Sequence, residues 1–315
     1  KVIDCKTRAI VKAPPNCKYA ALSYVWGTPE AGTVDQSIGN AQGIFATDVC
    51  PAVIRDSLLA TLSLDLQYLW VDRYCIDQAD AKEKHDQISQ MDLIYAIAYV
   101  TIIAATRNPD DGLPGAAGSN SNRKQQPRVN IRGQIIASTL PNPQMSLEES
   151  RWVTRGWTYQ EGILSKRRLI FTDNQVAFEC GGMHYAESLI LPLDAMHHKR
   201  ENNKVFRKHI PDGALILKSP GKDAFDIMSY IREFSKRELS FPGDRINAMK
   251  GVFHAFETGP QPVYQIMGIP ILELSNLMWS KTPTGGFLLG LTWSHVAPGI
   301  RTALLPSWTW AGWSG

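Results

Sequence analysis

The sequence predicts an α/β fold, with a parallel sheet carrying helices on both faces and a mainly helical C-terminal part. Three observations predict it. Short apolar runs alternate with helical patterns over the first hundred residues, the β-α-β-α-β order that builds a parallel sheet. The run Val100-Thr101-Ile102-Ile103-Ala104 is apolar almost throughout, as a strand buried on both faces should be. From about residue 185 onward, apolar residues recur at helical spacing instead.

The elements follow in order. Tyr19 to Val25 reads as a strand stopping at Trp26-Gly27. Asp48 can cap a helix with Pro51 in its first turn, and Val53, Ile54, Leu58 and Leu62 form its apolar stripe. Tyr68-Leu69-Trp70-Val71 is a strand ending at Asp72. A second helix is predicted from about Lys82 to Ala98, with Ile88, Met91, Tyr95 and Ala98 on one side, and the Val100–Ala104 strand follows. Residues 107–130 are turn-rich and polar and read as an exposed loop. A helix over 155–164 leads into a hairpin, Arg168 to Phe171 and Gln175 to Cys180, across Thr172-Asp173-Asn174. Beyond it, Phe225, Met228, Ile231 and Phe234 mark one helix. Pro242-Gly243-Asp244 starts another, with Ile246, Met249, Phe253 and Phe256 inward. A further helix is predicted over Ile271 to Trp279, and Pro306 to Trp313 reads as an alternating aromatic strand. The expected division is a domain over 1–184 and a helical extension over 185–315 that ends in this Trp-rich strand. No internal repeat is present.

Composition narrows the function. A hydrophobic fraction of 44% and nine tryptophans indicate a globular chain with a substantial core. The net charge of +3 is nearly balanced, and the densest basic cluster, Lys166-Arg167-Arg168, adjoins an apolar strand, so no basic stripe suits a nucleic acid. Five cysteines at irregular spacing without a Cys-x-x-Cys pair fit neither a disulfide framework nor a structural zinc site. They fit a reducing cytosol, so a cytoplasmic location is expected and a bound metal is not. No apolar run reaches the roughly 18 residues a membrane span needs, and Lys1 to Lys12 lack the apolar core of a signal peptide.

Ligands of an open parallel sheet bind outside the carboxyl ends of its strands. Two predicted strands end there in informative residues: Ser23-Tyr24 with Trp26-Gly27, and Asp72 with Arg73. Gly27 would let backbone approach a ligand. Each has a plainer alternative, since Trp26-Gly27 can be a packed ring and a turn, and Asp72 can cap the next turn. The segment Arg155-Gly156-Trp157-Thr158-Tyr159-Gln160-Glu161 puts Glu161 four residues after Trp157, on one helical face. A carboxylate beside a large ring is either a partnered structural charge or one held in a partly dry site for chemistry. Arg155 is not on that face and can pair with a surface acid. Cys75 with His85 invites a nucleophile-and-base reading, but nothing in the spacing orients the pair, and cysteine is commonly buried. Asp244-Arg245 suits a helix cap with a salt bridge. No Gly-x-Gly-x-x-Gly, Gly-x-Ser-x-Gly, P-loop or His-Glu-x-x-His pattern occurs.

Taken together, several blocks resemble the fungal heterokaryon-incompatibility (HET) domain. They are Tyr19-x-Ala21-Leu22-Ser23-Tyr24-x-Trp26-Gly27, Tyr68-Leu69-Trp70-Val71-Asp72-x-x-Cys75-Ile76-x-Gln78, Met91-x-x-Ile94-Tyr95-x-x-Ala98 and Arg155-Gly156-Trp157-Thr158-x-Gln160-Glu161-x-x-Leu164-Ser165. Asp244-Arg245-Ile246-x-Ala248 and Pro306-Ser307-Trp308-Thr309-Trp310 resemble segments that follow such domains. The resemblance places the 1–184 domain among distant relatives of TIR domains, which are flavodoxin-like modules of which many cleave NAD+.

That kinship implies a site. TIR enzymes carry a catalytic glutamate four residues after a tryptophan, which here is Glu161 after Trp157. Ser23, Tyr24, Trp26, Gly27, Asp72, Arg73, Arg155 and Trp157 then fall to substrate binding, with NAD+ as substrate and no further cofactor. Thr158 stands where TIR enzymes have cysteine, and long insertions occupy 28–47 and 107–150. The implied function is NAD+ nucleohydrolase or cyclase activity in allorecognition or programmed cell death, with homo-oligomerisation on activation and other incompatibility proteins as partners. The alternatives are a non-catalytic self-associating signalling module and a small-molecule enzyme that repurposes the fold.

Overall fold

The computed structural model describes residues 1–26, 50–106, 111–116, 123–181, 184–189, 220–221, 223–272 and 282–314. The chain divides into two compact units. The first comprises Lys1–Gln90, Ile94–Val153 and Ser165–Ile216; the second comprises Met91–Leu93, Thr154–Leu164 and Leu217–Gly315.

The first unit is built on an eight-stranded mixed sheet. Its strands are β1 (Val2–Asp4), β2 (Ala9–Val11), β3 (Tyr19–Ser23), β4 (Tyr68–Trp70), β5 (Val100–Ala104), β8 (Arg167–Phe171), β9 (Val176–Cys180) and β10 (His184–Ala186), in spatial order β10-β9-β8-β5-β3-β4-β1-β2. The four central strands β8, β5, β3 and β4 pair parallel. The flanking strands add antiparallel edges, through β4 to β1 and β2 on one side and β8 to β9 and β10 on the other. The α/β expectation therefore holds, and the strands read as apolar runs are the central ones. Every residue of β5 is buried, which explains why its sequence shows no polar alternation. The β8–β9 hairpin turns over Thr172, whose hydroxyl donates to the Gln175 carbonyl at 2.7 Å and accepts from the Gln175 N–H at 3.1 Å.

Among the described residues, four helices precede β5. They are α1 (Ala52–Ser63), the single turn α2 (Asp72–Cys75), α3 (Ala81–Ile88) and α4 (Met91–Ile97). Val53, Ile54 and Leu58 of α1 are buried as the stripe requires, with Pro51 at the N-cap rather than inside the first turn. Asp48, read as its cap, lies outside the described residues. The single helix expected over 82–98 is two. The Ser89 hydroxyl donates to the Asp86 carbonyl at 2.8 Å, and such local bonds compete with helix continuation. None of α3 is buried, whereas Met91 and Tyr95 of α4 are.

Between β5 and β8 the structure adds a hairpin that begins in the predicted loop over 107–130 and continues through residues for which no element was predicted. It comprises β6 (Arg128–Ile131) and β7 (Gln134–Ala137), followed by α5 (Pro143–Glu148) and α6 (Arg151–Thr154). Its two-residue turn is Arg132-Gly133, with φ of 52° and 85°, the doubly positive combination that matches strand twist. Arginine pays a conformational cost there that Asn or Asp would not, so the turn escapes a search for Asn-Gly or Asp-Gly.

The second unit contains α7 (Gly156–Leu164), α8 (Asp226–Ser235), α9 (Lys250–Glu257), the β11–β12 hairpin (Tyr264–Ile266 with Ile269–Ile271) and a last helix, Pro283–Gly290. Edge-to-face aromatic pairs organise its core: Tyr230–Phe256 at 5.5 Å and Phe234–Trp310 at 5.9 Å between centroids. The buried face of α8 is Ile227, Tyr230, Ile231 and Phe234, rotated from the predicted stripe, and Phe225 is exposed. Met249, Phe253 and Phe256 point inward as predicted. The helix predicted over Ile271 to Trp279 lies, beyond Leu272, outside the described residues. The aromatic tail forms a 3-10 turn, Trp310–Gly312, and the two-residue strand Trp313–Ser314 rather than one long strand. The Trp310 indole N–H donates to the Gly268 carbonyl and the Thr309 hydroxyl to the Met267 carbonyl, both at 2.7 Å, so the β11–β12 turn draws the tail out of an extended path.

Helix α7 packs closely on α9 at Gly251. A Cβ there would lie 2.2 Å from the Asp92 Cβ and 2.5 Å from the Leu164 Cδ1, and the Gly251 N–H donates to the Gln160 side-chain oxygen at 2.7 Å. Gly251→Ala is expected to cost about 1–3 kcal/mol of stability through overpacking. An unchanged melting temperature by calorimetry would contradict this packing.

Candidate functional site

The strand order places a ligand site before any side chain is considered. In chain order the four parallel strands are β3, β4, β5 and β8, and in space they run β4-β3-β5-β8. This is the flavodoxin-like order, in which the chain lays one strand on one side of the first and then crosses to the other side. The reversal falls between β3 and β5, and crevices that receive ligands open at the carboxyl ends of such strands.

At the carboxyl ends of β3 and β4 three of the predicted residues converge. Trp26 follows β3 by three residues and remains 38% exposed. Its indole N–H donates to both carboxylate oxygens of Asp72, at 3.0 and 3.2 Å. Asp72 also accepts from the backbone N–H of Arg73 at 2.7 Å, and the Arg73 guanidinium carbon lies 5.8 Å from the Trp26 ring centroid. A ring face, a guanidinium and a carboxylate thus stand together, which suits stacking on a flat base, pairing with a phosphate and accepting from hydroxyls. Gly27 lies outside the described residues.

Ser23 and Tyr24 are buried beneath this cluster's strand end. The Trp152 indole N–H donates to the Ser23 hydroxyl at 2.7 Å across a sequence separation of 129, and Trp152 is fully buried. Sequence reasoning missed Trp152, because nothing local distinguishes an indole that anchors a strand end from an ordinary core ring. The motif around Asp72 closes on itself. The Val71 N–H donates to the Cys75 sulfur at 3.3 Å, and the Gln78 side-chain amide donates to the Asp72 carbonyl at 3.4 Å. Cys75 and Gln78 thereby fix the turn that presents Asp72.

Burial weighs against a nucleophilic Cys75. Cys75 is buried, and burial pushes its thiol up to about 12. Burial also raises Cys5 to about 12, while at Cys50 it outweighs the nearby Arg55 and gives about 11. His85 is exposed on α3. A thiol with so high a pKa is a poor nucleophile near neutral pH. Native protein at pH 7.5 is expected to leave these three cysteines unalkylated by iodoacetamide until denaturant is added; rapid native labelling of Cys75, read by peptide mass, would refute this. Cys5 and Cys50 line a cavity of about 110 Å³ with Arg8, Arg55, Leu58, Leu59 and Leu62.

Arg155, Trp157 and Glu161 belong to the second unit. Gly156 N–H donates to the Glu238 carbonyl and Glu238 N–H to the Thr154 carbonyl, each at 2.7 Å, and this bridge at Arg155 sets where α7 begins. A Cβ on Gly156 would meet the Leu239 Cδ2 at 2.5 Å, so the glycine is required sterically. The Thr158 hydroxyl donates to the Arg155 carbonyl at 2.8 Å, and Arg237 donates to the same carbonyl at 3.2 Å while stacking 4.6 Å over Tyr159. Burial lowers the Arg237 pKa to about 10. Trp157 is half-buried against the second unit's core, and Glu161, one turn later, is 5% exposed and makes polar interactions of its own. Among the described residues no group of three or more His, Cys, Asp or Glu is placed to hold a metal ion, and no helix is long and apolar enough to cross a membrane.

Residues 19–161 match the family described as "Heterokaryon incompatibility protein (HET)". The match opens on the first residue of β3 and closes on Glu161, so it takes in the strand-end cluster and most of α7. Comparison with curated proteins and with solved structures gave no match. The family description implies a role in fungal heterokaryon incompatibility. Over residues 19–161, the chain carries a HET domain.

Proposed function

We propose that the carboxyl end of the sheet binds NAD+ and that the protein cleaves its nicotinamide–ribose bond, acting in the cytosol as part of an allorecognition or cell-death response. The observation that supports binding is the Trp26–Asp72–Arg73 cluster beside a flavodoxin-like switch point. Trp26 would stack on the adenine or the pyridinium, Arg73 would pair with the diphosphate, and Asp72 would accept from ribose hydroxyls; Ser23 and Tyr24 shape the strand end, and Gly27 is assigned to substrate binding by its place in the sequence motif alone. The catalytic assignment rests separately on the Trp157–Glu161 spacing that resembles TIR enzymes, with Arg155 and Trp157 as accessory groups.

The chemistry needs little more than a carboxylate. The C1′–N bond breaks with its electron pair passing to the ring nitrogen, so nicotinamide leaves neutral and no general acid is required. Water then adds at C1′ and releases a proton. The transition state is oxocarbenium-like, and a fixed anion such as Glu161 would stabilise it. A second reading, a non-catalytic module that signals by self-association and recruits other incompatibility proteins, is favoured by one observation: Glu161 is buried and already engaged.

Incubating the purified chain with NAD+ at high concentration, alone and in enforced oligomers, should release nicotinamide. Trp26→Ala is expected to raise KM about tenfold with a smaller change in kcat, since a stacked cation–ring contact is worth roughly 1–2 kcal/mol when partly desolvated. An unchanged KM would remove the binding assignment without touching Glu161. Absence of nicotinamide even from oligomers would favour the signalling reading.

A further inference from the structure

We propose that the β6–β7 hairpin docks on an anionic phospholipid bilayer, lying within its interface rather than crossing it. The proposal is independent of the NAD+ reading. Every residue of both strands is exposed. The register pairs Val129 with Ile136 and Ile131 with Gln134, so Val129, Ile131 and Ile136 share one face. These three and Ile135 on the opposite face are between 51% and 70% exposed. A two-stranded ribbon that leaves four β-branched residues in water is only marginally stable by itself.

Its base is fastened by ion pairs, and its outer arginines lie beyond them. Arg123 pairs with Glu187 at 2.9 Å and Lys124 with Asp173 at 2.7 Å, and the Gln175 amide donates to the Pro141 carbonyl at 2.6 Å. Arg128 and Arg132, further along, have no carboxylate at ion-pair distance among the described residues. Between Asp111 and Glu148 the sequence contains no Asp or Glu. An exposed apolar face flanked by exposed arginines complements a surface that is apolar below and anionic at the headgroups, where arginine stems lie along the acyl boundary and their heads reach phosphate. Charge decides against a second copy of the hairpin, which would bring four arginines together. A protein partner covering the main face would leave Ile135 exposed, whereas an interfacial layer reaches both faces.

The test is co-sedimentation of the full chain with vesicles of phosphatidylcholine alone or mixed with phosphatidylserine. Binding is expected for the mixed vesicles only, weakening as salt rises. Arg128→Gln with Arg132→Gln should weaken it by roughly fivefold per arginine, and Ile131→Ser with Ile136→Ser should weaken it at constant charge. All four positions are exposed, so unchanged circular dichroism is the expected control. The proposal is overturned if the wild type ignores mixed vesicles, or if both variants bind them as the wild type does. It is equally overturned if the variants alter only the oligomeric state in sedimentation velocity, which would make the hairpin a contact between protein chains.

Discussion

Glu179→Ala is expected to lower the unfolding free energy by about 3–5 kcal/mol, because it removes the carboxylate that faces a buried guanidinium inside the first unit. Arg168 and Glu179 stand directly opposite each other on β8 and β9 and are buried, with Nε and Oε2 3.7 Å apart. Removing one partner takes away a close Coulomb contact that offsets part of the other's desolvation. Replacing both, as Arg168→Met with Glu179→Leu, should recover most of the loss, since a well-packed apolar pair of similar volume commonly equals a buried ion pair. Urea unfolding followed by tryptophan fluorescence measures both variants. A single-variant loss below about 1 kcal/mol, the range of exposed pairs, would show that the two charges do not depend on each other. The pair also belongs to a polar row across the sheet, with Thr101 opposite Arg168 and His184 opposite Glu179, and the Thr101 and Ser165 hydroxyls 2.6 Å apart.

Glu161→Gln is expected to reduce nicotinamide release by on the order of a hundredfold or more. The substitution keeps the side chain's size and one acceptor, removes the charge, and turns the other oxygen into a donating amide. An effect on kcat/KM carried by kcat would then report lost transition-state stabilisation rather than lost substrate binding. Because Glu161 is buried, the melting temperature must be read alongside: a variant that melts as the wild type but no longer turns over supports the catalytic role, whereas one that turns over normally sinks it. A variant that merely unfolds is separated from these by Gly156→Ala, which perturbs the start of the same helix sterically and leaves the carboxylate in place.

Much of the central fold was legible because its signals are local. The strands β3, β4 and β5 are short apolar runs, α1 carries a helical stripe, and the β8–β9 turn has three turn-forming residues in succession. What escaped depends on distant partners. Strands β1 and β2 are three residues each and exist by pairing with β4 and with one another. The β6–β7 hairpin hides behind an arginine in a positive-φ turn. The basic cluster Lys166-Arg167-Arg168 adjoins an apolar strand in the sequence, and alternation along β8 turns Arg168 inward and Arg167 outward. Within the candidate site, Trp26, Asp72 and Arg73 were found as strand-end residues, while Trp152 was not, because its role is defined only by Ser23.

The sequence alone determined the central strands β3, β4 and β5, the helices α1 and α7, and the residues at the ends of β3 and β4, since hydrophobic period and turn chemistry act over a few neighbours. Only the tertiary structure decided which polar groups are buried and with whom. Cys75 became a turn-forming acceptor rather than a nucleophile, Ser23 the acceptor of a distant indole, and Arg168 and Glu179 an internal pair. Burial makes a hydrogen-bond partner nearly obligatory for a polar side chain, and for Ser23 that partner lies 129 residues away.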